Sequence, residues 1–363
     1  MIKLNRRTFI GSAAAAASLP MLASRASAAD PLKVGYIYVG PINDGGWNTA
    51  HEAGRQEMLK MFGDKVQSQY VENVPEGPDA ERVLRDLYNQ GNRLLYATSF
   101  GFMDSAVKVA QAYPDVTVEM CTGFKPSSNN NLSNYNIRFH QARSIFGTMA
   151  AMLSKTGVGA YLATYPVPEV VSGINSFTIA ARKVNPNWKT KVIWINTWYD
   201  PAKEADAARA LIDQGADVMT QHTDSPAAVQ VCESKGVPTF GQGSDQSQFG
   251  PTMCKSSSLD LWGAFYTVRT QAKLDGTWKP EDTYWGMKEK ALDIAPITHV
   301  PDDVKAAAEK QKAAWIDGTY DVYAGPIKDN AGNVKVAEGS ALTDGDILGM
   351  NWLAEGVDGA MPS

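Results

Sequence analysis

Short apolar runs of strand length alternate with amphipathic stretches along most of this chain. The runs fall at 34–39, 66–71, 94–98, 116–121, 158–163, 192–196, 218–221 and 238–241. Between them, 50–61, 80–90, 103–112, 174–184, 202–214 and 227–235 read as helices. The first of these carries apolar or small residues at Ala50, Ala53, Gly54, Met58 and Met61. Strand, helix, strand repetition predicts α/β architecture with parallel sheets covered on both faces. The repetition comes in two series, one before and one after a long helical stretch at 141–154, so two Rossmann-like lobes are expected.

Right-handed crossovers bring the loops that follow parallel strands to one edge, where open sheets bind ligands. Those loops have an unusual composition here. Gly40-Pro41-Ile42-Asn43-Asp44-Gly45-Gly46-Trp47-Asn48 follows the first run, and Ser99-Phe100-Gly101-Phe102-Met103-Asp104 the third. The second series supplies Tyr165-Pro166-Val167-Pro168-Glu169, Thr197-Trp198-Tyr199-Asp200, His222-Thr223-Asp224-Ser225 and Gln242-Gly243-Ser244-Asp245-Gln246. Nearly every strand end offers a ring, a carboxylate or both. Several rings converging on one cleft suit a flat ligand held by stacking, with Asp or Asn on its polar edge.

Charge and composition narrow the partners. The 363 residues carry 34 Lys and Arg against 39 Asp and Glu, with no basic cluster interleaved with aromatics, which argues against nucleic acid and anionic membranes. The start of the chain reads as an export address. Lys3, Arg6 and Arg7 precede an Ala-rich, weakly apolar stretch at 9–23, and Ala26-Ser27-Ala28 forms a small-residue cleavage site. Asn5-Arg6-Arg7-Thr8-Phe9-Ile10 is similar to a twin-arginine signal. Cleavage near Ala28 removes four bases and no acid, leaving 30 bases against 39 acids. No Cys stands at that site to carry a lipid, and no later run reaches the roughly 18 apolar residues of a membrane span. A soluble periplasmic protein is expected. Its three cysteines, Cys121, Cys232 and Cys254, are read as buried thiols, with a Cys232 to Cys254 pair as the alternative.

Enzyme signatures are absent from the sequence. The loop at 40–48 has neither the phosphate-cradling order nor a dinucleotide fingerprint, and its Asp44 would repel phosphate. His51, His140, His222 and His299 show no metal-ligand spacing, and there is no nucleophile elbow. His222 is read as structural. No metal and no cofactor is implied. Residues 328–333 read as a hairpin turn, and 302–316 as a solvated surface helix.

With these residues in view, a family resemblance can be stated. Tyr36-Ile37-Tyr38-Val39-Gly40-Pro41 and Gly45-Gly46-Trp47-Asn48 resemble the basic membrane protein family of bacterial ABC-transporter substrate-binding proteins, in its purine-nucleoside-binding group. Thr98-Ser99-Phe100-Gly101-Phe102, Tyr135-Asn136-Ile137-Arg138-Phe139, Gly173-Ile174-Asn175-Ser176-Phe177, Gly241 to Gln246 and Leu348-Gly349-Met350-Asn351-Trp352 extend the match over almost the whole chain after the leader.

The resemblance implies a type I periplasmic-binding-protein fold of two lobes joined by three crossings. Residues 29–140 with about 260–295 would form lobe I. Residues 141–259 with about 296–363 would form lobe II and a C-terminal extension. It also implies a monomer that closes on a purine and hands it to an ABC permease in the inner membrane. Trp47 and Trp198, with Phe100 nearby, match the places of the family's sandwiching rings. Asn175 and Asp224 match polar partners, and Asp245 matches the Asp of a Gly-x-Asp-x-Gln stretch that holds ribose.

Where the family's nucleoside binders carry a Lys, Ser256-Ser257-Ser258-Leu259-Asp260 places Asp260, which favours a free base such as adenine over a nucleoside. The expected binding set is therefore Asp44, Trp47, Phe100, Asn175, Trp198, Asp224 and Asp245. A flavin or other heteroaromatic ligand, and a chemoreceptor-type sensory role, are the alternatives to purine import.

Overall fold

The computed structural model describes residues 30–362, so the export leader assigned to 1–28 lies outside the described residues. The first half alternates as expected through β1 (Leu32–Ile37), α1 (Trp47–Phe62), β2 (Val66–Val71), α2 (Pro78–Asn89), β3 (Leu94–Ala97), α3 (Met103–Ala112), β4 (Thr117–Cys121) and β5 (Leu132–Ile137). The chain then crosses into α4 (Phe139–Leu153), β6 (Val158–Ala163), α5 (Pro168–Val184), β7 (Lys189–Trp194), α6 (Pro201–Asp213), β8 (Val218–Gln221), α7 (Ala227–Lys235), β9 (Thr239–Gly241) and β10 (Cys254–Asp260). It returns through α8 (Trp262–Leu274) and β11 (Thr283–Trp285), and crosses a third time into β12 (Leu292–Ile294) and α9 (Asp302–Asp317). A C-terminal extension holds β13 (Ile327–Lys328), β14 (Val334–Val336), α10 (Asp344–Leu348) and β15 (Val357–Asp358).

Two open sheets result. Lobe I orders its strands β11-β5-β4-β3-β1-β2, every pair parallel. Lobe II orders β12-β10-β9-β8-β6-β7-β15, parallel except for β12 against β10. Because β12 pairs with β10, the chain is back in lobe II by Leu292, a few residues ahead of the expected boundary. The strand order reverses between β1 and β3 in one lobe and between β6 and β8 in the other. Crevices open at such reversals, and both face the gap between lobes.

Strands β5 and β10 have no apolar run in the sequence. Their residues, LSNYNI and CKSSSLD, are nevertheless almost wholly buried. Their polar side chains find partners on chain that arrives much later. Ser133 accepts from Arg269 at 2.7 Å, Asn134 donates to Asp282 at 3.0 Å, and Ser256 donates to the Ala295 carbonyl at 2.7 Å. Buried hydroxyls and amides are tolerated when paired in this way. Arg269 also donates to the buried carboxylate of Glu119 at 2.7 Å, which ties α8 to lobe I after the second crossing.

Helix α9 is not the solvated helix its scattered charges suggest. It buries Val304, Ala308, Gln311 and Trp315, and Trp315 Nε1 donates to Ser144 of α4 at 2.9 Å. One apolar face in four turns is enough to dock a helix whose other faces are charged. The residues expected to make a hairpin do so, with β13 antiparallel to β14. The cysteines are buried and free. Among the described residues no helix is long and apolar enough to cross a membrane.

Candidate functional site

The loop between β1 and α1 is organised by one carboxylate. Asp44 Oδ1 accepts from the amides of Gly46 and Thr49 at 2.9 and 3.0 Å, and Oδ2 from the amide of Asn48 at 2.8 Å. The side chains of Asn48 and Thr49 add two more bonds, at 2.8 and 2.9 Å. Asp44 therefore satisfies open amides at the start of α1 from just outside it. Gly46 then lies so close to lobe II that a Cβ would collide with the carbonyl oxygen of Asp224, which leaves glycine as the residue that fits.

Trp47 follows as the first residue of α1 and is held rigid. Its indole donates to the Thr98 carbonyl at 2.7 Å. Its ring meets His51 edge-on at 4.6 Å and Trp262 at 5.4 Å, and His51 stacks on Trp262 at 4.4 Å. The polar-aromatic core of lobe I thus presents one indole to the gap.

A narrow pocket lies between the lobes, lined by Val39, Trp47, Ser99 and Phe100 from lobe I and by Glu169, Trp198, His222 and Asp224 from lobe II. Phe100 and Glu169 also line an inner chamber of about 370 Å³, with Phe124, Asn136, Pro168 and Leu348 among its other walls. On the opposite side Val39 and Trp198 border an outer mouth of about 920 Å³. Among the described residues no Lys or Arg lines any of the three spaces.

Three carboxyl groups define the electrostatics. Asp224 is buried, with Oδ2 unpartnered among the described residues. Burial pushes its carboxyl well above the usual range, reinforced by the negative charge of Asp44, Glu204, Asp260 and Glu169. Glu169 is pushed up to about 8, first by burial, with a hydrogen bond from Asn136 opposing. Asp260 is pushed up to about 7 by burial while Arg143 pulls the other way, and neither of its carboxyl oxygens has a partner among the described residues. Burial holds His222 neutral, with Nδ1 unpartnered among the described residues. A carboxyl group kept neutral both donates and accepts a hydrogen bond.

Trp47, Phe100, Trp198 and Asp224 come together at the pocket. Asp44, Asn175 and Asp245 are not among the residues that line it. Asp44 has no acceptor capacity left over from its own loop. Asn175 is fully buried on α5, where it accepts from the Ala354 amide at 2.7 Å and donates to the Trp352 carbonyl at 2.7 Å. Its amide pins the C-terminal extension to lobe II. Asp245 is exposed and accepts from the Ser247 amide at 3.0 Å, a local turn contact.

Glu169 and His222 line the pocket although the sequence reading left them out of the binding set. Glu169 stood in a strand-end loop with Tyr165 and Pro168, the same signal that marked Asp224, and could have been found by it. Among the described residues no cluster of His, Cys, Asp and Glu could hold a metal ion.

A pocket at the strand-order reversals of two α/β lobes, walled by rings from both, is the place where such folds take a small molecule. The sequence profile described as ABC transporter substrate-binding protein, PnrA-like, matches residues 32–319, and the chain belongs to that family. It is 48% identical over 342 residues to a purine-binding protein of Brucella abortus (strain 2308), covering 94% of this chain and 97% of that one. It is 32% identical to a Haloferax volcanii protein named as an ABC transporter glucose-binding protein, over 93% of this chain and 83% of the other.

Among solved structures, a solute-binding protein of an Aeropyrum pernix K1 ABC transporter system superimposes with a TM-score of 0.68 at 18% identity, over 82% of this chain and 93% of that one. A transcriptional activator of the comK gene from Bacillus halodurans reaches 0.66 at 18% identity, over 79% and 99%. The fold is thus shared by transport and regulatory proteins, so the ligand has to be argued from the pocket.

Proposed function

We propose that this protein binds a free purine base of the adenine type in the interlobe pocket and delivers it to an ABC permease of the inner membrane. The observation that carries this reading is the unpartnered Asp224 carboxyl set among Trp47, Phe100 and Trp198. Rings stack on either face of a heteroaromatic base for about 1–3 kcal/mol each. A neutral carboxyl pairs with a purine edge that presents a ring nitrogen acceptor beside an amino donor, because it offers one donor and one acceptor side by side. With no cation among the described residues lining the cleft, a phosphate would be buried there without a counter-charge, which disfavours nucleotides. The 48% identical relative named for purine binding supports the same ligand class. Asp260 in place of a lysine favours base over nucleoside.

The family is one of transport substrate-binding proteins, and no catalytic role is proposed. Export by the twin-arginine-type leader, cleavage near Ala28, residence in the periplasm and a monomeric state belong to the same proposal. The test is calorimetric titration of ligand-stripped protein with adenine, hypoxanthine, adenosine, riboflavin, glucose and AMP. Adenine binding at micromolar or tighter, with adenosine weaker and AMP silent, is the expected result. Tighter adenosine restores a nucleoside carrier. Glucose or riboflavin alone overturns the purine reading.

A further inference from the structure

Glu76 sits in the loop between β2 and α2, outside the set of pocket-lining rings, yet it touches both walls. Its Oε1 accepts from Ser99 Oγ at 2.6 Å and from the Gly101 amide at 3.0 Å, the residues on either side of Phe100. The same oxygen accepts from Trp198 Nε1 of lobe II at 3.1 Å. A Cβ at Gly101 would run into the Glu76 carboxyl, so glycine there is what lets the carboxylate approach. The loop itself is anchored, since Ser105 Oγ donates to the Gly77 carbonyl at 2.7 Å.

A second contact between the lobes runs through the backbone of the first loop of lobe I. The Gly45 carbonyl accepts from Ser244 Oγ at 2.7 Å and from Gln246 Nε2 at 2.9 Å. Those contacts close the cleft behind Trp47. On the open side, Glu76 and Trp198 both border the outer mouth. Glu76 is solvent-exposed at this rim, where a hydrogen bond can form and break without stranding a buried charge.

We propose that Glu76 is the positioning residue that latches the cleft, holding Trp198 of lobe II and the Phe100 turn of lobe I on one carboxylate oxygen and so setting how long a ligand stays bound. The latch joins groups from two lobes, so it belongs to the closed form, which the free protein samples and a ligand stabilises. Interactions made after encounter act on dissociation more than on association. The reading of the pocket as a purine site supplies the probe for this latch.

The test is stopped-flow tryptophan fluorescence with adenine on wild type, Glu76→Ala, Glu76→Gln, Trp198→Phe and the double variant Glu76→Ala/Trp198→Phe. Glu76→Ala should speed dissociation by about tenfold and change association by less than about twofold. Glu76→Gln, which keeps an acceptor oxygen, should recover to within about threefold of wild type. Trp198→Phe keeps a ring but has no N–H, so Glu76→Ala should have a much smaller effect in that background. An unchanged dissociation rate, or an equal effect in both backgrounds, overturns the latch.

A second readout is independent of purine. In ¹⁵N-tryptophan-labelled protein without added ligand, the Trp198 indole resonance, assigned by its loss in Trp198→Phe, should shift in Glu76→Ala. If wild type binds no purine, the ligand reading fails alone and this resonance decides: a shift supports the latch, and an unmoved resonance overturns it.

Discussion

Two acidic loops face each other across the gap, 40–48 from lobe I and 222–225 from lobe II, and they do opposite things. Asp44 is buried at the start of α1 with both oxygens occupied by its own loop. Asp224, equally buried, has an oxygen with no partner among the described residues and lines the pocket. Burial raises both carboxyls, but at Asp44 the amides of Gly46, Asn48 and Thr49 work against the shift, whereas neighbouring acids add to it at Asp224. The difference teaches that a carboxylate after a strand is a functional candidate only when its own turn does not consume it. A loop that starts a helix has amides to spare and consumes the carboxylate. One that lies across from another lobe leaves it free.

Variants at these places test that contrast. The largest effect is expected at Asp224→Ala, which should weaken adenine binding by about fiftyfold while leaving thermal stability unchanged or raised, because an unpaired buried acid is removed. Calorimetry beside a thermal melt reads both, and unchanged affinity would break the contrast. Trp198→Ala should weaken binding more than about tenfold by losing one face of the stack. Titration against Trp47→Ala sharpens the comparison, because Trp47 is also wedged into the core of lobe I and should in addition lower the melting temperature.

Asp44→Ala should act on stability instead. Loss of the helix-start bonds is expected to cost about 2 kcal/mol, seen as a melting temperature lower by several degrees, with affinity falling only as the loop loosens.

A smaller effect concerns pH. Glu169 and Asp260 have folded pKa values of about 8 and about 7, above those of the unfolded chain. The native state therefore holds more protons in between, so the stability they contribute is complete below the ordinary carboxylate range and is lost as pH rises through about 7 to 8. Melting temperature should decline from pH 5 to 8.5 in ligand-free protein, and Glu169→Gln should flatten part of that decline. The smallest effect is expected at Asp245→Ala, where an exposed turn contact is lost: affinity and stability should both stay within error. A tenfold loss of affinity there would bring Asp245 back into the site.

Much of the fold was legible because βαβ repetition writes itself locally. The apolar runs that became β6 and β8 begin and end where the strands do, since parallel strands buried on both faces need unbroken apolar or β-favouring residues. The rings at strand ends were legible for the same reason: an aromatic after a strand in this architecture stands at the ligand edge or caps a core, and Trp47 does both.

What the sequence did not reveal depended on distant chain. Ser133 and Ser256 look like loop residues until Arg269 and the Ala295 carbonyl arrive to satisfy them. The family resemblance places Asn175 among a ligand's polar partners. Its partners, Trp352 and Ala354, lie far along the chain.

By itself the sequence determined the two parallel-sheet lobes, the excess of acid and the choice of rings, because periodicity, charge and side-chain chemistry are local properties. The tertiary structure alone decided which polar groups are spent and which are free. A hydrogen bond is satisfied by whatever atom comes within reach, and for Asp44, Asp224, Glu76 and Asn175 that atom is fixed by how loops, lobes and the C-terminal extension come together.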